Sequence, residues 1–276
     1  MSKITTATIR QMKTEGRPIT MLTAYDYSMA KLVDEAGIDM ILVGDSLANT
    51  MLGYDSTLPV TMDEMVHHVK AVCRGTEQAM VVADLPFMSY QVSKKEALRN
   101  AGRFLKGSTA SAVKLEGGRE IAETVRAIVN AGIPVVGHLG LTPQSVHQLG
   151  GYKVQGKDES AAKKLLADAR CLEEAGAFCV VLECVPTPLA KLVTESLGIP
   201  TIGIGAGPHC DGQVLVIHDM LGLYPRQSPK FVKKYVNLHE SIAASLKQYK
   251  EEVTARTFPA PEHCFNMSEE VLKKLY

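Results

Sequence analysis

The chain carries no surplus of charge, no apolar run of membrane length and no Cys-x-x-Cys pair. Its 30 basic residues are matched by 30 acidic ones, whereas proteins that bind nucleic acid or anionic membranes show a basic excess. No apolar stretch approaches the ~20 residues of a membrane span, and the start, Met1-Ser2-Lys3-Ile4-Thr5-Thr6, lacks the apolar core of a secretory signal. A cytoplasmic protein with neither nucleic-acid nor membrane partners is therefore expected. Cys73, Cys171, Cys179, Cys184, Cys210 and Cys264 are scattered, with no Cys-x-x-Cys and no zinc-finger spacing. They are expected to be reduced and mostly buried, as small hydrophobes. A Gly-x-Gly-x-x-Gly after the first strand is also missing, which argues against a doubly wound dinucleotide-binding sheet.

What is present is alternation. With 276 residues and 46% hydrophobic content the chain can build one barrel-sized core. Strand-like runs are expected at Ile19 to Tyr25, Met40 to Ser46, Ala79 to Asp84, Ala112 to Glu116, Pro134 to Leu139, Cys179 to Glu183, Thr201 to Ile204 and Val214 to Ile217. Eight such runs are what a closed (β/α)8 TIM barrel requires. Thr61-Met62-Asp63-Glu64 and Ser93-Lys94-Lys95-Glu96 read as capping boxes at helix starts. Gly37, Gly132, Gly176 and Gly198 stand where helices should stop in a left-handed residue. Gly203-Ile204-Gly205-Ala206-Gly207, followed by Pro208, reads as a tight turn at the barrel rim. The barrel should occupy about residues 17–225 of a single domain spanning 1–276, with a C-terminal helical extension over about 228–276. The last helix, starting near Ser268, has apolar Val271, Leu272 and Leu275 and could serve either as a subunit contact or as packing on its own barrel.

Acidic residues recur where apolar runs end: Asp45 after Met40-Ile41-Leu42-Val43-Gly44, Asp84 after Met80-Val81-Val82-Ala83, Glu116 in Val113-Lys114-Leu115-Glu116, and Glu183 in Val180-Val181-Leu182-Glu183. A parallel strand is buried on both faces, so these carboxylates are the first polar groups to emerge, on the rim where barrels do chemistry. Asp45 and Asp84, on adjacent strand ends beside Glu116, suit a hard divalent cation such as Mg²⁺. Helix caps or rim salt bridges are the plainer alternative.

Lys114 and Glu116 alternate with apolar neighbours and so point to one side of their strand. They could form a buried ion pair, or Lys114 could hold an anionic substrate. Glu183 lies between Leu182 and Cys184, an apolar neighbourhood in which desolvation is expected to suit its carboxylate to general-base work. His138, at the end of the fifth run, could orient or hydrogen-bond a substrate, and a structural role is the plainer alternative. Tyr25, Asp26, Ser46 and Asp219 are secondary candidates; the Ser46 hydroxyl could meet an anion.

Several segments carry a resemblance: Leu22-Thr23-Ala24-Tyr25-Asp26-Tyr27, Val43-Gly44-Asp45-Ser46, Thr57-Leu58-Pro59-Val60-Thr61-Met62-Asp63-Glu64-Met65, Lys114-Leu115-Glu116-Gly117-Gly118, Gly137-His138-Leu139-Gly140-Leu141-Thr142-Pro143-Gln144-Ser145 and Cys210-Asp211-Gly212-Gln213-Val214-Leu215-Val216. In these the chain closely resembles the ketopantoate hydroxymethyltransferase family, from about residue 1 to Phe258-Pro259. The resemblance implies a barrel of the phosphoenolpyruvate mutase/isocitrate lyase type, a Mg²⁺ requirement and a homodecamer. It also implies hydroxymethyl transfer from 5,10-methylenetetrahydrofolate to 3-methyl-2-oxobutanoate, giving 2-dehydropantoate. By position it makes Asp45 and Asp84 metal ligands, Glu116 a third metal-associated carboxylate, Ser46 and Lys114 substrate contacts, and Glu183 the catalytic base. The chain departs from the pattern at Ala48-Asn49-Thr50, where many members carry Gly-Met, and at Ala83, where Gly is common. Both changes adjoin expected ligands without replacing them.

Overall fold

The computed structural model describes residues 3–224 and 229–276. Positions 225 and 228, where the sequence places the end of the barrel and the start of the extension, lie outside the described residues. Eight strands close a barrel in chain order: β1 (Ile19–Thr23), β2 (Met40–Val43), β3 (Met80–Asp84), β4 (Ala112–Glu116), β5 (Val135–Gly140), β6 (Cys179–Glu183), β7 (Thr201–Ile204) and β8 (Gly212–Leu215). Each is parallel to its neighbours, and β8 pairs back onto β1.

Helix α1 (Thr6–Thr14) precedes β1. Helices α2 (Tyr27–Glu35), α3 (Met62–Gly75), α4 (Lys94–Gly107), α5 (Ala122–Asn130), α6 (Glu159–Glu174) and α7 (Thr187–Ser196) follow the first six strands in turn. Between β7 and β8 the helix is replaced by residues 205–211, in which Gly205 and Gly207 take φ of 64° and 84°. The rim turn expected from the glycine run is thus present, and it stands in place of a crossover helix.

The helix signals have their physical counterparts. Thr61 and Glu64 form the full capping box of α3, with the Glu64 N–H donating to Thr61 Oγ1 at 3.3 Å and the Thr61 N–H to Glu64 Oε2 at 2.7 Å. At α4 only half the box forms: Ser93 Oγ accepts from the Glu96 N–H at 3.1 Å, and Glu96 does not reciprocate. Each such cap contributes about 1 kcal/mol by satisfying an otherwise orphaned donor. Gly37, Gly132 and Gly176 do adopt positive φ at helix ends. Gly198 does not, because Leu197 has already turned extended (φ −108°, ψ 142°) and the Gly198 N–H is taken up by Glu173 Oε1 at 2.7 Å.

The interior explains where chemistry can occur. One apolar cluster fills the barrel with Met21, Met40, Leu42, Met80, Val82, Ala112, Val136, Cys179, Val181, Ile202 and Val214, and Ile9 and Met12 of α1 belong to it. Strand periodicity carries these inward columns upward into polar residues: Met80, Val82, then Asp84 on β3; Ala112, Lys114, Glu116 on β4; Val136, His138 on β5; Cys179, Val181, Glu183 on β6. Burying each Met, Val, Leu or Ile side chain of this cluster contributes roughly 1.5–3 kcal/mol, and that packed floor holds the charged layer above it.

By internal contacts the chain divides into two compact units, one containing the barrel and the other containing, among the described residues, 218–224 and 233–276. The second unit includes α8 (Leu238–Thr254), whose Ile242, Leu246, Tyr249 and Val253 form an exposed stripe at helical spacing. It also includes a single helical turn, Glu269–Leu272, with Val271, Leu272 and Leu275 exposed.

All six cysteines are free thiols, but only Cys73 and Cys179 are fully buried, so the expectation of mostly buried cysteines is corrected. Among the described residues no helix is long and apolar enough to cross a membrane.

Candidate active site

Barrel register brings the predicted residues together. Asp84, the last residue of β3, pairs with Lys114 on β4, and Glu116 at the end of β4 pairs with His138 on β5. Lys114 Nζ lies 2.8 Å from Asp84 Oδ1 and 3.2 Å from His138 Nδ1. The same imidazole nitrogen is 3.3 Å from Glu116 Oε1, and Nε2 on the far side is 3.2 Å from Glu183 Oε2. Asp45, Asp84, Lys114, Glu116 and His138 are all buried, whereas the Glu183 side chain keeps 16% of its surface exposed. The buried ion pair foreseen for Lys114 therefore exists, with Asp84 as its nearest partner rather than Glu116.

Asp45 stands two residues beyond β2, where no strand ladder holds it. Its N–H donates to Asp84 Oδ2 at 3.0 Å, linking the two acidic strand ends. Gly44 permits this approach, since a Cβ there would stand 2.8 Å from Ser46 Oγ and 3.4 Å from Asp84 Oδ2. Ser46 shares a 2.8 Å hydrogen bond with the Tyr25 hydroxyl. Asp26 takes the plainer role, capping α2 through a 2.9 Å bond from the Met29 N–H. Asp219 belongs to the second unit. Ala83 pairs with Val43 and Val113 and lies fully buried between the acidic strand ends.

The electrostatics follow from crowding carboxylates out of water. Burial, then the neighbouring Glu116 and Asp84, push the Asp45 carboxyl well above its usual range. Burial also raises Asp84, with Lys114 restraining the rise. For Glu116 burial is outweighed by His138 and Lys114, and the carboxyl is held below its usual range. Burial likewise opposes the Lys114 charge, but Asp84, Glu116 and Asp45 outweigh it and the ammonium is held more tightly than usual. Burial and Lys114 both work against a charged His138, yet its contacts with Glu116 and Glu183 prevail and raise it to about 9.

Sequence reasoning gave no role to Gln144 and passed over Tyr90. Gln144 follows β5 in a short 3₁₀ turn, Pro143–Ser145. Its backbone N–H donates to Glu116 Oε2 at 2.9 Å and its side-chain Nε2 to Asp45 Oδ2 at 2.8 Å. The Tyr90 hydroxyl donates to Gln144 Oε1 at 2.8 Å. Gln144 sits inside one of the motifs that carried the resemblance, but a neutral amide offers no chemical signal by itself.

A family model described as ketopantoate hydroxymethyltransferase matches residues 3–261. The chain belongs to the ketopantoate hydroxymethyltransferase family. It is 63% identical over 276 residues, covering the whole of both chains, to the 3-methyl-2-oxobutanoate hydroxymethyltransferase of Syntrophomonas wolfei subsp. wolfei. Membership of the ketopantoate hydroxymethyltransferase family makes it a transferase enzyme. Among solved structures, phosphonopyruvate hydrolase in complex with oxalate and Mg++ superimposes with a TM-score of 0.61 at 13% identity, covering 99% of this chain and 94% of that one. A 2,3-dimethylmalate lyase of the PEP mutase/isocitrate lyase superfamily gives 0.59 at 16% identity, covering 98% and 93%. At such identities the likeness is one of fold, and it places the ketopantoate hydroxymethyltransferase barrel within that architecture.

Proposed function

We propose that the chain catalyses hydroxymethyl transfer from 5,10-methylenetetrahydrofolate to 3-methyl-2-oxobutanoate, forming 2-dehydropantoate on the way to pantothenate. Family membership supports the reaction, and one observation supports this site for it: at the end of the barrel interior the four carboxyl groups of Asp45, Asp84, Glu116 and Glu183 are gathered with two cationic side chains, Lys114 and His138. When all are ionised two negative charges remain in excess, which is the deficit a divalent cation makes good.

The donor set suits Mg²⁺, which takes hard oxygen ligands. Among the described residues no three acidic, His or Cys side chains converge in a ready-made ligand shell. An ion at this layer would instead be held by one or two carboxylates and completed by water and substrate. Asp45 and Asp84 would hold it, with Glu116 behind them. When bound, the cation supplies Lewis acidity that stabilises negative charge on the 2-keto group.

The remaining steps fall to the chain's own residues. Lys114 and Ser46 bind the substrate carboxylate and fix its orientation, with His138 bordering the same space. Glu183 accepts the proton from C3, leaving an enolate whose carbon attacks the methylene carbon of the folate. Both carbon–nitrogen bonds of the folate methylene, to N5 and to N10, break as the new carbon–carbon bond and a carbon–oxygen bond to water form; the two nitrogens take up the proton held by Glu183 and one from the water, and tetrahydrofolate leaves. Glu183 is the least buried of the charged residues, as a base that must meet substrate should be.

A lyase of the same architecture would share an acidic rim and a metal but would not need folate. Measuring 2-dehydropantoate formation with and without Mg²⁺ and folate separates the two. Dependence on both is expected; turnover of the keto acid by cleavage without folate would sink the reading.

A further inference from the structure

We propose that Gln144 is a positioning residue that sets the geometry of the acidic layer, and that Tyr90 fixes the orientation of its amide. The inference rests on the functional reading above. Asp45 and Glu116 rise from β2 and β4, which are separated by β3, so no ladder hydrogen bond relates them. Gln144 reaches both, the first through its side chain and the second through its backbone.

The amide can face only one way. Nε2 has two protons, and both are used, one on Asp45 Oδ2 at 2.8 Å and one on the Leu85 carbonyl at 3.0 Å. Oε1 accepts from the Tyr90 hydroxyl at 2.8 Å and from Gln91 Nε2 at 3.3 Å. A flipped amide would set its oxygen against a carboxylate and a carbonyl, and would leave the single Tyr90 proton only its longer contact, with the Glu116 carbonyl at 3.0 Å. Tyr90 and Gln144 are themselves buried, which strengthens the bond between them.

The consequence is a carboxylate with one oxygen tied down. Asp45 has lost the strand ladder, and its own N–H is spent on Asp84. Its side-chain orientation therefore depends on Gln144, and outer partners of this kind typically govern metal affinity by about 10- to 100-fold.

The test uses the purified full-length chain and MgCl₂ titrated calorimetrically with 3-methyl-2-oxobutanoate present, alongside thermal melts without metal. Gln144→Met keeps the volume and removes both arms of the amide. It should lower Mg²⁺ affinity by about 10- to 100-fold while the metal-free melt shows a folded protein. In an Asp45→Asn background the same change should add little, because the two act as a unit. Tyr90→Phe leaves the bond to Asp45 in place and frees the amide's other end, so a smaller loss of about 3- to 10-fold is expected, the scale of one neutral hydrogen bond. A merely structural role predicts lower melting temperatures with Mg²⁺ affinity unchanged in both variants, and that result would overturn the proposal. If Gln144→Met does not fold, Tyr90→Phe decides alone. Failure of the unmutated chain to bind Mg²⁺ or to form product would instead count against the functional reading.

Discussion

Lys114 Nζ and Asp84 Oδ1 lie 2.8 Å apart because the two residues are register partners on adjacent parallel strands, at the level where the barrel interior turns from apolar to charged. Lys114 therefore neutralises part of the acidic layer whether or not substrate is bound. This dual position decides what its removal should do. Lys114→Met should cost about 3–5 kcal/mol of stability, since it leaves buried carboxylates uncompensated. It should also weaken 2-keto acid binding by about 1.5–3 kcal/mol, the scale of a charge-assisted hydrogen bond. Denaturant unfolding and substrate titration on the one variant measure both, and a loss of stability with unchanged substrate affinity would remove Lys114 from the substrate's contacts.

Asp84→Asn keeps the shape of the side chain and can still accept the Asp45 N–H, but it removes a charge. The fold should survive, and Mg²⁺ affinity should fall by at least roughly the 10- to 100-fold seen for outer-shell partners. Calorimetric titration checks this, and Mg²⁺ activation identical to the unmutated chain would take Asp84 out of the ligand set.

His138 predicts a pH dependence of the metal-free protein. Its folded pKa, about 9, lies above the ordinary histidine value. The stabilising contribution is thus fully present below about 6.5 and is lost as pH rises through about 9. Melting temperatures followed in EDTA should fall across that window more steeply for the unmutated chain than for His138→Gln. Parallel curves would show that Glu116 and Glu183 do not stabilise a protonated imidazole in the fold.

Glu183→Gln keeps size and hydrogen-bonding capacity but cannot accept a proton. With Mg²⁺ and no folate, the C3 proton of 3-methyl-2-oxobutanoate should exchange with D₂O in the unmutated enzyme. Exchange and turnover should both drop by about 10²–10⁴ in the variant. Exchange at the full rate in Glu183→Gln, followed by NMR, would assign the base elsewhere.

Assembly offers a further test. The exposed stripe of Ile242, Leu246, Tyr249 and Val253 on α8, with Val271, Leu272 and Leu275 beyond it, provides apolar surface for a subunit contact. A homodecamer is expected from the family resemblance. Light scattering should give a mass far above the 29.9 kDa of one chain, and a monomer at micromolar concentration would dispose of the idea.

The local sequence by itself determined that there are eight strands and roughly where they lie, the full capping box at Thr61 and the identity of the charged residues at strand ends; it ran the second strand on to Ser46, where β2 ends at Val43, and set the eighth at Val214 to Ile217, where β8 is Gly212–Leu215. These depend on side-chain periodicity and on hydrogen bonds spanning three or four residues, which a single segment encodes. Even locally the reading failed where a distant group intervened, as at Gly198, whose N–H is claimed by Glu173 on another helix. Only the tertiary structure decided that Lys114 pairs with Asp84 rather than Glu116, since Lys114 and Glu116 share a strand face while Asp84 comes from the neighbouring strand in register. The same holds for the β7–β8 connection without a helix and for Gln144, which meets Asp45 across 99 residues of chain. A neutral amide carries no chemical signal in sequence; closure of the barrel, by fixing which strand ends share one buried layer, is what gives it two carboxylates to hold.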